Sequence, residues 1–162
     1  AGNYGSQFYP TGLAQKDGYD QIIWTDSKDH KFLEEAGTMN IFVRIDDTII
    51  TAPTTDTILD GITRKSIIKI AKDNNIKVEV RPISIDEVIE AHSKGRLNEI
   101  FGSGTAVVVS KISSFGYKGK NYDLKKIENS YAETLKSIIT KIQYNLIKDP
   151  YGWRSEVSAI KV

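Results

Sequence analysis

Three short segments combine glycine with hydroxyl side chains where one element gives way to another: EEAGTMN (34–40), LDGITR (59–64) and FGSGTA (101–106). Each could present backbone N–H groups to an anion. In LDGITR, Gly61 allows close approach, and the N–H groups of Ile62 and Thr63 open a helix whose dipole favours negative charge. The competing reading is an ordinary helix N-terminus capped by Asp60. In GSGTA the hydroxyls of Ser103 and Thr105 flank Gly104 ahead of an apolar run, which suits a small anion-binding nest or simply a tight turn. Neither spacing is that of a P-loop or of the dinucleotide fingerprint.

Glu34 and Glu35 stand side by side where a strand should be running. Strand side chains alternate between faces, so one of the two carboxylates must point to the less solvated side. Such a carboxylate needs a partner: Lys31 or Arg44 in a structural ion pair, or the protonated ring nitrogen of a cofactor. The remaining chemistry-bearing residues carry less. His30 falls in a polar loop and His92 among charged residues on a helix, so both read as solvated surface groups. Ser113 and Ser114 have no base near them in sequence, which leaves a hydrolase triad unsupported. Tyr151 and Trp153 read as aromatic anchors for a C-terminal tail.

The elements that must position these groups follow from periodicity and punctuation. The opening AGNYGSQFYPTGLAQKDG (1–18) reads as a loop and then a short helix closing at Gly18. YDQIIWT (19–25) is rich in strand formers, and the polar DSKDH turns the chain into a second strand around 31–35. MNIFVRI (39–45) and TIITA (48–52), separated by Asp46-Asp47, make a β-hairpin. Residues 63–74 carry Ile67, Ile68 and Ile70 among lysines, the pattern of an amphipathic helix. IKVEVRPI (76–83) alternates as a strand, and Ser84 with Glu87 forms a capping box that opens a helix running to Gly95. GSGTAVVVSKI (102–112) reads as a Gly-rich turn feeding a buried strand, and FGYKGKNY (115–122) as a hairpin. A long helix over 129–148 carries Ile138, Ile139, Ile142 and Leu146 on its apolar face. The whole is a single α+β domain over residues 1–162, with sheet topology left open.

Composition narrows the classes of function. The 162 residues carry 22 basic and 21 acidic side chains for a net charge of +1, so there is no long-range field to recruit nucleic acid or an anionic membrane. No apolar run approaches the roughly 18 residues that a membrane-spanning helix needs. The absence of cysteine excludes disulfides, Cys-ligated zinc and thiol nucleophiles, and two histidines are too few for a histidine-built zinc site, so no metal is expected. A reducing cytoplasm fits this usage, and neither a signal peptide nor a transit peptide is visible at the start.

Taken in order, GNYG (2–5), GYDQIIWTD (18–26), EEAGTMN, TILDGITR (57–64), DEVIEAH (86–92) and FGSGTA resemble the C-terminal large domain of branched-chain amino-acid aminotransferases, the class IV or fold-type IV pyridoxal-phosphate enzymes. The resemblance runs from Ala1 to about Lys120 and weakens in the final helix and tail. It implies the mixed sheet with flanking helices of the fold-type IV enzymes. It also implies a cofactor, pyridoxal 5'-phosphate, and roles for particular residues. Tyr4 would meet the cofactor's phenolic oxygen, Glu35 its pyridine nitrogen, and Leu59 a face of the ring. The backbone at Gly61, Ile62 and Thr63 and the hydroxyl of Thr105 would take the phosphate. Thr105 and Ala106 would receive the substrate carboxylate through backbone N–H groups, and Thr38 would lie near the substrate.

The family's Schiff-base lysine falls two positions before Ala1, so no catalytic residue is expected within this chain. A small N-terminal domain would precede that lysine. The expectation is therefore a fragment, inactive alone, of a homodimeric enzyme that moves amino groups between Leu, Ile or Val and 2-oxoglutarate. Two alternatives remain: a D-amino-acid aminotransferase or aminodeoxychorismate lyase of the same fold, and a lysine-free ligand-binding module without chemistry.

Overall fold

A computed structural model describes residues 5–157. The chain forms, in order, α1 (Phe8–Lys16), β1 (Ile23–Thr25), β2 (Leu33–Ala36), β3 (Met39–Ile45), β4 (Thr48–Thr51), α2 (Ile62–Asp73), β5 (Lys77–Val80), α3 (Ile85–Ser93), β6 (Leu97–Gly104), β7 (Val108–Ile112), β8 (Ser114–Tyr117), β9 (Lys120–Asp123) and α4 (Tyr131–Gln143). Seven strands make one mixed sheet, and β8 and β9 pair separately. This is the α+β architecture expected from the sequence.

The sheet is organised around β3. Along one edge of β3, β2 pairs with its first two residues and β4 with Phe42–Ile45, while β6 runs antiparallel along the other edge. β4 and β5 are parallel and joined through α2, since a parallel neighbour requires a crossover rather than a tight turn. β3 is buried on both faces, which is why its sequence is nearly continuously apolar. Ile41, Val43 and Ile45 pack with Val88 and Ala91 of α3, whereas Phe42 packs with Phe101, Ile67, Ile70, Leu135 and Ile139 beneath α2 and α4. The Phe42 and Phe101 rings stack 5.0 Å apart. Asn40 and Arg44 belong by alternation to the Phe42 face, one at each end of it.

All four helices stop in the same way. A residue in the left-handed region follows the C-cap, and paired backbone bonds close the last turn, as in Tyr19 N–H to Ala14 O (3.0 Å), Ile76 N–H to Ala71 O (2.9 Å), Arg96 N–H to Ala91 O (2.8 Å) and Leu146 N–H to Lys141 O (2.8 Å). The residue is Gly18 or Gly95 in two cases and Asn75 or Asn145 in the others. Asn145 corrects the expected helix over 129–148: α4 ends at Gln143, and Leu146 is 70% exposed rather than part of the apolar face. That face is Ala132, Leu135, Ile139 and Ile142, with Ile138 at its border.

Three further expectations are revised. The strand over 19–25 is only Ile23–Thr25, because Tyr19 closes α1 and the Gln21 side chain takes the Ile22 N–H. The strand over 76–83 stops at Val80, ahead of Pro82, which has no N–H to offer a ladder. The glycines of GSGTA are not a turn. Gly102 and Gly104 lie inside β6, and the turn is Thr105–Val107. At Gly102 a Cβ would stand 2.9 Å from the end of the Met39 side chain, so any larger residue would make that side chain move. The buried strand is accordingly β6, while β7 is only partly covered.

The far end of the Phe42 face is locked by a buried ionic cluster. Arg44 bonds Glu99 (3.2 Å), Asn129 O (2.7 Å) and Asp47 (3.2 Å), with its guanidinium 3.6 Å from the Tyr131 ring centroid. Glu99 accepts from the Ser130 hydroxyl and from Tyr131 N–H (2.8 Å), and so anchors the start of α4. The tail packs as expected, with Tyr151 stacked on Trp153 at 4.3 Å and set against the α2–α4 core. Among the described residues no helix is long and apolar enough to cross a membrane, and no cluster of metal-ligating side chains exists.

Candidate cofactor-binding site

The sheet register brings three separate sequence segments to one end of the molecule. β2, β4 and β6 all finish there. That end therefore carries the Gly37–Thr38 turn, the connection from β4 to α2 and the Thr105–Val107 turn. Gly104 lies beside the Thr38 carbonyl, where a Cβ would stand 3.6 Å from it, so the first and third segments are neighbours.

Glu35 is the centre of this end. Its Oε1 accepts the backbone N–H of Leu59 (2.9 Å) and an amide N–H of Asn40 (3.2 Å). The expected structural ion pairs are not formed. Arg44 is committed to Glu99 and Asp47 at the far end, and Glu34 accepts the Thr57 hydroxyl (2.7 Å). Burial pushes the Glu35 carboxyl above the usual range; the Leu59 N–H pulls it back and the neighbouring Glu34 charge adds to the rise. Glu35 is thus a half-buried carboxylate held by neutral donors, with no cation bonded to it among the described residues.

The second component is the N-terminus of α2. Asp60 does not cap it, contrary to the simpler reading of the sequence. Asp60 pairs with Lys65, the N-cap is Gly61, and among the described residues no side chain bonds the first-turn N–H groups. The 12-residue helix therefore directs free donors and the positive end of its dipole outward at Ile62 and Thr63. Gly61 has φ −64° and ψ 134°, an ordinary extended conformation, so its need for glycine is spatial: a Cβ would collide with the Asn40 carbonyl oxygen. Arg64 tethers the loop from below through Ala52 O (2.8 Å). Leu59 is 61% exposed beside this terminus, an apolar face open to a planar group.

Thr38, Thr105 and Ala106 are exposed in their turns at the same end. Glu35 and Leu59 are in direct contact, and Gly61, Ile62 and Thr63 follow immediately along the chain. Thr105 and Ala106 are brought alongside Thr38 by the β3–β6 register rather than bonded to Glu35 or Thr63. Tyr4 lies outside the described residues. His30 is exposed as expected. His92 is not a free surface group: it is half-buried, with Nε2 2.9 Å from Asp123 O and its ring edge-on to Phe115 and Tyr122.

One residue of this end, Asn40, was not legible as a site residue in the sequence, and Ser103, offered there as a hydroxyl of an anion-binding nest, lies inside the sheet instead. Asn40 pairs in register with Glu35 on one side and Ser103 on the other, so the three form a row across β2, β3 and β6 on the Phe42 face. Ser103 is 1% exposed and its hydroxyl has no partner. The available signal was a lone polar residue at a core position of a strand. A cavity of about 710 Å³ opens elsewhere, between the α1–β1 segment and β8, and none of Glu35, Leu59, Thr63 and Thr105 lines it.

A half-buried carboxylate, an uncapped helix N-terminus, an exposed leucine and a hydroxyl-bearing turn suit a flat ligand with a cationic ring nitrogen at one end and a phosphate at the other. The comparisons point the same way. The family model for class IV amino-transferases matches residues 1–115. A probable branched-chain-amino-acid aminotransferase of Staphylococcus epidermidis is 41% identical over 158 residues, which cover 97% of this chain and 44% of the relative. The branched-chain amino acid aminotransferase from Escherichia coli superposes with a TM-score of 0.76 at 26% identity, over 94% of this chain and 48% of that one. Another branched-chain amino acid aminotransferase, solved in complex with N-(5'-phosphopyridoxyl)-L-glutamate, superposes with a TM-score of 0.72 at 26% identity, over 86% of this chain and 43% of that one. The chain spans less than half the length of these relatives, yet the match runs through every segment gathered around Glu35: it belongs to the class IV aminotransferases.

Proposed function

We propose that residues 1–162 are the pyridoxal-phosphate-binding domain of an aminotransferase that moves an amino group between branched-chain L-amino acids and 2-oxoglutarate. The observation that carries this reading is Glu35, a carboxylate with no cation bonded to it among the described residues, fixed to the Leu59 peptide beside the N-terminus of α2. The similarity to branched-chain enzymes, one solved with a phosphopyridoxyl amino acid, supports the substrate class and the cofactor.

In this reading the chain's own residues bind and orient. Glu35 would accept a hydrogen bond from the ring N–H and keep that nitrogen protonated, because a carboxylate in a partly desolvated site is stabilised by an adjacent cation. Leu59 covers a ring face and excludes water from it. The N–H groups of Ile62 and Thr63, with the Thr105 hydroxyl, hold the phosphate, and Gly61 leaves the approach open. Backbone N–H groups at Thr105 and Ala106 receive the substrate carboxylate, Thr38 lines the substrate side, and Tyr4 meets the phenolic oxygen. The bound cofactor supplies an electron sink for the charge left when the substrate's α-proton departs. Moving that proton is the work of a lysine that the family resemblance assigns upstream of Ala1, so the domain alone is inactive. The active form is a homodimer of the longer protein.

The test is a substrate panel on the longer protein carrying this chain. L-leucine, L-isoleucine and L-valine should be converted with 2-oxoglutarate as acceptor, and added pyridoxal phosphate should restore activity to the stripped protein. Conversion of D-alanine or aminodeoxychorismate in place of the branched-chain L-amino acids would overturn the substrate assignment.

A further inference from the structure

Asn40 is 5% exposed and sits between the two halves of the cradle. Its amide nitrogen donates to Leu59 O (2.8 Å) and to Glu35 Oε1 (3.2 Å). Both partners are acceptors only, so the NH2 group must face them and the amide carbonyl must point the other way. That way leads to Gly61, where the space a Cβ would occupy is filled by Asn40 Oδ1. One side chain therefore touches the carboxylate, the peptide that bears the exposed leucine and the glycine that opens α2. β3 fixes it from behind, since Asn40 is paired on both sides, with Glu35 of β2 and Ser103 of β6.

We infer that Asn40 is a positioning residue: its amide holds the Glu35 carboxylate against the Leu59 peptide and seats α2 through Gly61, so that the carboxylate and the helix N-terminus keep one fixed separation. The inference rests on the proposed cofactor reading for its purpose, though its geometry does not. A rigid ligand that must be gripped at both ends requires such a spacer, because among the described residues the other hydrogen bonds from β2 carboxylates to the segment leading into α2 are those from Leu59 N–H to Glu35 and from the Thr57 hydroxyl to Glu34. Among the described residues the charge acting on Glu35 is Glu34 on its own strand; on the β4–α2 segment Asp56 is exposed, Asp60 pairs with Lys65 and Arg64 donates to Ala52 O. None of them bonds Glu35, which leaves Asn40 and Leu59 as the groups that set its orientation.

The experiment reads Glu35 directly. The longer protein carrying this chain, stripped of cofactor and labelled at glutamate side-chain carboxyl carbons, is titrated by NMR, with Glu35→Gln assigning the resonance. Asn40→Ala should raise the proton affinity of Glu35 by about tenfold, the loss expected when a donor to a charged group is removed. Asn40→Asp keeps the shape but replaces the donor by an acceptor, and should raise it at least as much. A Glu35 titration unchanged in both variants, with only the melting temperature lowered, would reduce Asn40 to a packing residue and overturn the inference. If the Asn40 variants do not fold, Gly61→Ala tests the same link from the other side: its Cβ displaces the Asn40 carbonyl and should produce the same shift, and an unchanged Glu35 would again overturn it. A failure of the cofactor reading is separable. Pyridoxal phosphate affinity would then be indifferent to Glu35→Gln, whereas the titration in the cofactor-free protein would still respond to Asn40.

Discussion

Replacing Glu35 by glutamine removes one charge while keeping an oxygen for the Leu59 and Asn40 donors, so it separates the electrostatic role of the residue from its structural one. The free chain should not lose stability. The folded-state carboxyl is raised above its ordinary value of 4.5, chiefly by burial. A raised carboxyl means that ionisation is harder in the folded than in the unfolded chain. Its contribution to stability therefore falls as pH climbs from the ordinary value through the raised one, and Glu35→Gln should flatten that part of the curve. Cofactor binding should respond in the opposite sense. A hydrogen bond between a carboxylate and a protonated ring nitrogen is of the charge-assisted kind, with a net value of about 1.5–3 kcal/mol, so its loss weakens pyridoxal phosphate binding roughly ten- to a hundredfold. The rate should fall further, because a neutral amide cannot hold the ring nitrogen protonated while charge develops on the ring. Equilibrium titration of the stripped longer protein with pyridoxal phosphate, followed by absorbance, and the transamination rate at saturating cofactor measure the two effects apart. Wild-type affinity together with a wild-type rate in Glu35→Gln would refute the placement of Glu35 at the ring nitrogen.

Two other perturbations test the frame that holds the site. Asp26 accepts backbone N–H groups from Asp29 (2.7 Å), Lys31 (2.7 Å) and Phe32 (2.6 Å), and these bonds hold its carboxyl at about 2 against an ordinary 3.8. Its contribution is present above the ordinary value and lost as pH falls through about 2, so Asp26→Ala should lower the melting temperature at neutral pH and abolish that part of the acid limb. Glu99→Ala leaves Arg44 buried without its carboxylate and the start of α4 without its anchor, and should cost about 3–5 kcal/mol in a denaturant titration. A loss below about 1 kcal/mol would show that the Arg44 cluster is not what docks α4.

Much of the secondary structure was legible because its signals are local. Alternation marked β5, the Ser84 and Glu87 pair marked the start of α3, and Lys118-Gly119, both with positive φ, supply the two-residue turn between β8 and β9. Helix ends were legible when the left-handed residue was glycine, as at Gly18 and Gly95. Asn145 was passed over because asparagine also occurs inside helices and on surfaces, and only the bond from Leu146 to Lys141 reveals its role. Topology was not legible at all. That β6 lies against β3, with β2 and β4 sharing the opposite edge, depends on which apolar faces meet across some 60 residues, and alternation carries no information about partners.

The site divides along the same line. Glu35, Gly61 and Thr63 stood out because each sits in a short motif with an unusual combination of residue types, and a motif is a local object. Asn40 sits in a strand whose neighbours in sequence are core residues, and what it does is set by neighbours across the sheet. The simplest reading of LDGITR failed for the same reason. Asp60 has the right type and place to cap α2, but Lys65 claims it, and Gly61 is glycine because of Asn40, some 20 residues earlier in the chain. A local rule scores each residue against its chain neighbours, whereas a binding site is made where the fold denies groups their local partners. Among the described residues, the uncapped first turn of α2, the carboxylate without a cation and the Ser103 hydroxyl without a bond are three such denials at one end of one sheet. Each is costly in isolation. Their coincidence is what a bound ligand would relieve, and it becomes visible only once the register is known.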